Sequence, residues 1–73
     1  GMTGYHFLGK RGIVIKKESQ LMIAPAPGSP IGAYLTEGES ASVVKNKGNY
    51  YFVKQSDGKS GWISKECFEK IWN

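Results

Sequence analysis

The side chains that could support catalysis are few and lie far apart in the sequence. His6 is the single histidine and Cys67 the single cysteine, and a thiol nucleophile must lie within hydrogen-bonding reach of its base. Their positions near opposite ends of a 73-residue chain give no sign of such a pair. Glu37 and Glu39 are two carboxylates at a turn, where we expect solvation rather than general acid–base work. The sequence therefore predicts a protein that is not an enzyme.

Metal binding is not indicated by the sequence either. No group of His, Cys, Asp and Glu residues has the spacing of metal ligands, so we expect no metal and no other cofactor. Cys67 has no second cysteine for an intramolecular disulfide, and we interpret it as a small, buried or half-buried residue.

Aromatic and basic side chains point instead to binding. Tyr50, Phe52, Lys54 and Trp62 are the candidates for a ligand face, because exposed aromatic residues grouped on one surface usually serve an interaction. The alternative is that Trp62 packs over one end of the fold and that Phe52 covers the N-terminal tail. The net charge of +4 suits nucleic acid, an anionic surface or an acidic polymer, but the lysines are scattered along the chain, which argues against nucleic acid.

The residues that would position this face form a predicted β-hairpin. Residues 50–53 are aromatic or β-branched, as is typical of strands. Asp57-Gly58 predicts a two-residue turn in which Gly58 has a positive φ. By strand alternation, Tyr51, Val53 and Ile63 should face the interior, and the four candidates should face outwards or lie along the rim.

Short apolar runs separated by glycine and proline continue through the rest of the chain. They predict an all-β fold, a small barrel of five to six short antiparallel strands. The further strands are expected at residues 13–15, 21–23, 31–35, 40–46 and 68–71. Gly38 should supply a positive φ to the turn at residues 36–39, and Ser64 should cap one tight helical turn. We expect residues 1–11 to be a tail or linker, with Gly1 a cloning remnant, and residues 12–73 to be the barrel.

Two blocks of this sequence resemble the bacterial Src-homology-3 (SH3b) family. They are Ile31-Gly32 with Leu35 and Gly38, and Asp57-Gly58 with Gly61-Trp62-Ile63. The resemblance implies an SH3-like barrel and a non-catalytic module that accompanies other domains, and it aligns Gly61 with the glycine of the family's D-G-x-x-G-W pattern. We expect Gly61 to let the backbone pass close beneath an aromatic ring.

This chain also departs from the family pattern. Tyr50 stands where the family has a tryptophan, and Met22, Ala24 and Ala26 replace Asn, Arg and Gly. The positions that match the proline-reading groove of eukaryotic relatives are Tyr50, Ser64 and Cys67, which argues against a reader of that type.

The resemblance also implies partners and a location. We expect a binding or targeting module of a larger cell-envelope protein that docks on peptidoglycan, a peptide or a partner domain. Contact with a membrane would come through the parent chain, and the domain itself should be a monomer. A nucleic-acid-binding barrel and a spacer domain at the end of a membrane protein with helical repeats are the alternatives left open, as is a cytoplasmic location.

Overall fold

A computed structural model describes residues 10–72, with side chains for residues 11–71. It contains seven strands: β1 (Lys10–Val14), β2 (Glu18–Met22), β3 (Ile31–Thr36), β4 (Ser40–Lys47), β5 (Tyr50–Lys54), β6 (Ser60–Ser64) and β7 (Phe68–Trp72). A 3-10 turn, Lys65–Cys67, joins β6 to β7. His6 and the predicted tail up to residue 9 lie outside the described residues.

The strands form one antiparallel sheet in the order β3-β2-β6-β5-β4-β1-β7. The predicted all-β class is confirmed, with seven strands where five to six were expected. β1 begins at Lys10, so Lys10 and Arg11, which the sequence placed in the tail, belong to the sheet. Their strand conformation comes from pairing with Ile71 and Trp72 of β7. This pairing is distant in sequence and leaves no local signal.

One face of the sheet encloses the core. Its buried members are apolar residues from all seven strands: Val14, Leu21, Leu35, Ala41, Val43, Val53, Ile63 and Phe68. Val53 and Ile63 are fully buried, as alternation predicts. Tyr51 packs partly against this cluster and meets Phe68 edge to face, with 5.9 Å between ring centroids. The predicted register of the hairpin is therefore present.

The loop between β5 and β6 differs from the predicted two-residue turn. Gln55 N–H donates to Lys59 O at 2.8 Å, and Gly58 N–H donates to Gln55 O at 3.0 Å. These bonds enclose a three-residue loop, a type of hairpin connection that ends in a left-handed residue. Gly58 occupies that position with a φ of 99°. Asp57 accepts a hydrogen bond from Lys59 N–H at 3.0 Å, so the Asp-Gly pair does shape the loop. The central residues of the turn are Ser56 and Asp57, and Gly58 follows them, whereas Asp57 and Gly58 were expected at the centre.

Two glycines in the predicted site set have different roles. Gly38 has a φ of 92° in a turn closed by Glu39 N–H donating to Thr36 O, as predicted. Gly61 lies within β6 and not in a turn. A Cβ there would lie 3.0 Å from Leu21 Cβ and 3.1 Å from Met22 O. The close neighbour on the side where Gly61 lacks a Cβ is thus strand β2.

The tight turn after β6 is present where the sequence predicts it. Ser64 precedes Lys65–Cys67 in an extended conformation, with φ −63° and ψ 137°, but its side chain makes no capping hydrogen bond. Lys65 N–H donates to Asn49 O at 2.9 Å instead. This turn is therefore held by the neighbouring β4–β5 connection and not by the predicted cap.

Candidate ligand-binding face

Strand β5 presents alternate side chains on the outside of the barrel. Val53 is fully buried and Tyr51 packs partly against the core, whereas Tyr50 and Phe52 are half-buried and Lys54 is exposed. Because successive side chains of a strand point to opposite faces, Tyr50, Phe52 and Lys54 share one outer surface. Three of the four predicted ligand-face residues therefore follow one another along a single strand.

The fourth candidate, Trp62, lies directly across the hairpin from Phe52. The two residues are register partners on β5 and β6. Their rings meet edge to face, with centroids 5.1 Å apart and planes at 60°, the arrangement that aromatic pairs favour. Each ring shields part of the other while both stay half-buried. The structure thus joins two of the predicted residues into one apolar surface.

A β-bulge in β4 brings a lysine to the same surface. The register between β4 and β5 shifts between Val43 and Lys45, so that Val44 and Lys45 both stand opposite Phe52. Strict alternation would turn Lys45 inwards after the buried Val43, and the extra residue turns it outwards. Lys45 Nζ then lies 5.7 Å from the Phe52 ring centroid, within the range of a cation–π interaction.

The row of paired residues continues across Trp62 to β2. Met22 is the register partner of Trp62 and is 8% exposed, although it does not belong to the main core cluster. Met22 therefore flanks Trp62 on the side of β6 opposite Phe52. We call Lys45, Phe52, Trp62 and Met22 the aromatic row.

Tyr50 lies apart from this row, at the start of β5. Its register partners are Lys47 on β4 and Ser64 on β6, and it borders a shallow depression together with Lys65 and Glu66. Tyr50 is two positions from Phe52 along β5, and two positions of a strand correspond to a distance of about 7 Å. The residue that stands in place of the family's tryptophan is thus on the same outer surface but outside the ring contact.

Lys54 lies at the other end of β5, close to Arg11, a neighbour that the sequence did not predict. Ser42 pairs with Lys54 on one side and with Arg11 of β1 on the other. The outward positions of β4, β5 and β6 include Lys45, Lys47 and Lys54 and no carboxylate. The lysines of the chain are scattered in the sequence, but the strand register places these three on one face. Only strand pairing reveals this, so no local pattern could have predicted it.

A family model for the bacterial SH3 domain matches residues 16–70, which is more than half of the chain. The chain belongs to the bacterial SH3 domain family. SH3 domains are in general non-catalytic modules that bind proteins or peptides, and the bacterial ones often occur in secreted or envelope proteins. No curated protein matches this SH3 domain.

Glu39, one of the two turn carboxylates considered above as an acid or base, has a structural role in this SH3 domain. Glu39 accepts hydrogen bonds from Thr36 N–H at 2.7 Å, from Thr36 Oγ1–H at 3.0 Å and from Gln55 Nε2–H at 3.1 Å. The backbone bond from Thr36 does most to lower the pKa of Glu39, followed by the Gln55 amide. A carboxylate held in its charged form by three donors ties the β3–β4 turn to the β5–β6 loop.

The remaining reactive groups do not assemble into a site in the described part of this SH3 domain. Cys67 is a half-buried free thiol. Among residues 10–72, no three His, Cys, Asp or Glu side chains are grouped closely enough to hold a metal ion. The same residues include no helix with the length and apolarity needed to cross a bilayer. Among the described residues, the aromatic and basic side chains of the outer face are therefore the groups best placed to bind a ligand.

Proposed function

We propose that this SH3 domain is a binding and targeting module of a larger bacterial cell-envelope protein, and that its aromatic row docks on the peptide part of peptidoglycan. The observation that supports this best is the half-buried Phe52–Trp62 pair in a surface with three lysines and no carboxylate on β4–β6. Rings of this kind provide most of the binding energy in small interfaces. The lysines favour a ligand with free carboxylates, as peptidoglycan stem peptides have.

The ring pair is suited to an extended peptide because it is prearranged. Trp62 stands between Phe52 and Met22 in the strand register, and its ring already contacts the Phe52 ring, so binding would cost little side-chain entropy. Lys45 beside the Phe52 ring can contact a carboxylate while the peptide's apolar atoms cover the rings. The position of Lys54 two residues further along β5 extends the same charge preference.

A sedimentation assay on purified peptidoglycan sacculi tests this proposal. We expect Phe52→Ala and Trp62→Ala each to weaken binding about tenfold or more, since loss of a central anchor costs about 2 kcal/mol. Tyr34→Ala is the matched control, because Tyr34 is an exposed aromatic residue on β3, outside the aromatic row, and should leave binding unchanged. Sacculi stripped of their stem peptides by an amidase should not retain the domain.

Melting curves of the same variants separate lost binding from lost folding. Equal binding by wild type and both ring variants, at melting temperatures that show all three folded, would refute the aromatic row as the ligand face. Undiminished binding to the amidase-treated sacculi would refute a peptide ligand.

Nucleic acid is a second candidate, because the structure places cations beside half-buried aromatic rings. Lys45 lies against Phe52, and Arg11 and Lys54 flank Ser42, a combination that suits backbone contacts and base stacking. Binding of a short oligonucleotide should then fall steeply as salt rises from 50 to about 200 mM. Absence of binding to single- and double-stranded oligonucleotides at low salt would eliminate this function.

A further inference from the structure

A basic cleft lies at the end of the outer face away from Tyr50. It has a volume of about 370 Å³ and is bordered by β1, β4, β5 and the loop after β5. The amide of Gln55, which also lines the cleft, donates to Glu39 and to the Ser40 carbonyl oxygen. Five other side chains can donate hydrogen bonds to a ligand: Arg11, Ser40, Ser42, Lys54 and Ser56. We call these five residues the basic cleft. It shares no residue with the aromatic row.

The register explains how the cleft forms. Arg11 and Lys54 are both direct partners of Ser42, one from each neighbouring strand. Strands lie about 4.8 Å apart, so the two cations start roughly 10 Å from each other with the Ser42 hydroxyl between them. Their long side chains can therefore close on one group that sits above Ser42. Ser40, two residues earlier on β4, points to the same face.

The charge of the cleft is not neutralised by neighbouring acids. Within the described part of the chain, neither the Arg11 guanidinium nor the Lys54 ammonium group forms an ion pair or a side-chain hydrogen bond. Glu69 of β7 stands opposite Ile13, on the same side of β1 as Arg11, and forms no ion pair with Arg11. Glu39 reaches the cleft through Gln55, and its oxygens accept from Thr36 and Gln55. The other nearby acid, in the loop after β5, accepts from a backbone N–H of the same loop. Two full positive charges thus remain available to a ligand.

We propose that the basic cleft binds a phosphate group. A phosphate monoester has a charge of about −1.5 to −2 at neutral pH and three strong acceptor oxygens, which matches two cations and three hydroxyls. The Arg11 guanidinium can hold two of these oxygens at once. A carboxylate has one charge and two oxygens and would leave part of this donor set unused. The proposal goes beyond the peptide-binding function and does not depend on it.

Titration with inorganic phosphate, followed by amide chemical shifts at constant ionic strength, tests the site. We expect saturable shifts at Ser42 and Lys54 with a dissociation constant on the order of millimolar. Arg11→Met and Lys54→Met should each weaken binding about tenfold. Lys16→Met is the matched control, since it removes one positive charge from the exposed β1–β2 connection and should leave the titration unchanged. Phe52→Ala should also leave it unchanged, so this result is independent of the peptidoglycan assay.

Further titrations identify the source of the phosphate. Glycerol phosphate represents a monoester and dimethyl phosphate a diester of the kind found in polymer backbones; tighter binding of one of them assigns the cleft to that class. Shifts that do not saturate, or that are the same in Arg11→Met and wild type while both spectra show a folded domain, overturn the site. Acetate binding as tight as phosphate overturns the assignment to phosphate.

Discussion

Gly12 in the middle of β1 gives the sharpest test of the fold. It is buried and pairs with Ala41 of β4 and Lys70 of β7. A Cβ at this position would overlap Cε2 of the Phe68 ring and lie 2.5 Å from the Glu69 carbonyl oxygen. Real Cβ atoms do not approach other atoms this closely, so Gly12→Ala must displace either the ring or strand β7.

Both displacements have a large free-energy cost. Phe68 is only 3% exposed, and removing such a ring from a core costs about 3–5 kcal/mol. Moving the backbone of β7 disturbs its five-residue pairing with β1, and overpacking typically costs about 1–3 kcal/mol. We therefore expect a loss of about 3 kcal/mol from a domain whose total stability should be about 4–11 kcal/mol. At about 4–8 °C per kcal/mol, the melting temperature should fall by about 12–24 °C.

Thermal melting followed by circular dichroism measures this loss. Gly32→Ala is the matched control. A Cβ there would lie 3.0 Å from the flexible end of Ile23, a side chain that is 64% exposed, and at an ordinary contact distance of 3.7 Å from the Leu21 carbonyl oxygen. That variant should melt at or slightly above the wild-type temperature, since alanine restricts the unfolded chain. Phe68→Leu combined with Gly12→Ala should cost less than the sum of the two changes if the ring is the obstacle. A Gly12→Ala domain that melts within about 2 °C of wild type would show that β1 does not lie between β4 and β7.

Three more predictions concern the core, a turn and acid stability. Val53→Ala should cost about 2–3 kcal/mol in chemical denaturation, because two fully buried methyl groups are lost and a cavity remains; a silent change would contradict the strand register. Gly58→Val should destabilise by more than about 1 kcal/mol through its φ of 99°, whereas Gly58→Asn should melt closer to wild type. Since the folded-state pKa of Glu39 is lowered, its stabilising effect is present above the ordinary carboxyl range and is lost as pH falls through the folded pKa. Melting temperatures of Glu39→Gln should therefore depend less on pH below about 4.5 than those of wild type, and parallel profiles would contradict this.

The elements that could be predicted from sequence are those whose signal is local. Alternation from Tyr51 to Ile63 placed Val53 and Ile63 in the core, because one buried face fixes the register of a strand. Gly38 was predicted from its turn, since a positive φ strongly favours glycine. The position of Phe52 opposite Trp62 also follows from the hairpin, as the loop and the alternation together set which residues face each other.

The elements that could not be predicted depend on partners far away in the chain. Arg11 is in β1 because β4 and β7 provide its hydrogen-bonding partners, and no nearby residue signals this. Lys45 faces outwards because of a bulge, which the imperfect alternation of residues 40–46 permits but does not specify. The close approach of Gly61 to β2 likewise depends on a strand that is distant in sequence.

The size of the domain explains why both proposed binding features lie on the outside of the sheet. A chain of 73 residues has a small core, and the inward side chains of the seven strands already fill it. A pocket in the interior would remove contacts that the fold needs.

Strand β5 is paired on both edges, so the side chains on its outer side can differ widely without loss of the strand. Phe52 and Lys54 stand two residues apart on that side, about 7 Å. The aromatic row and the basic cleft therefore meet at β5, and a single extended ligand can reach both.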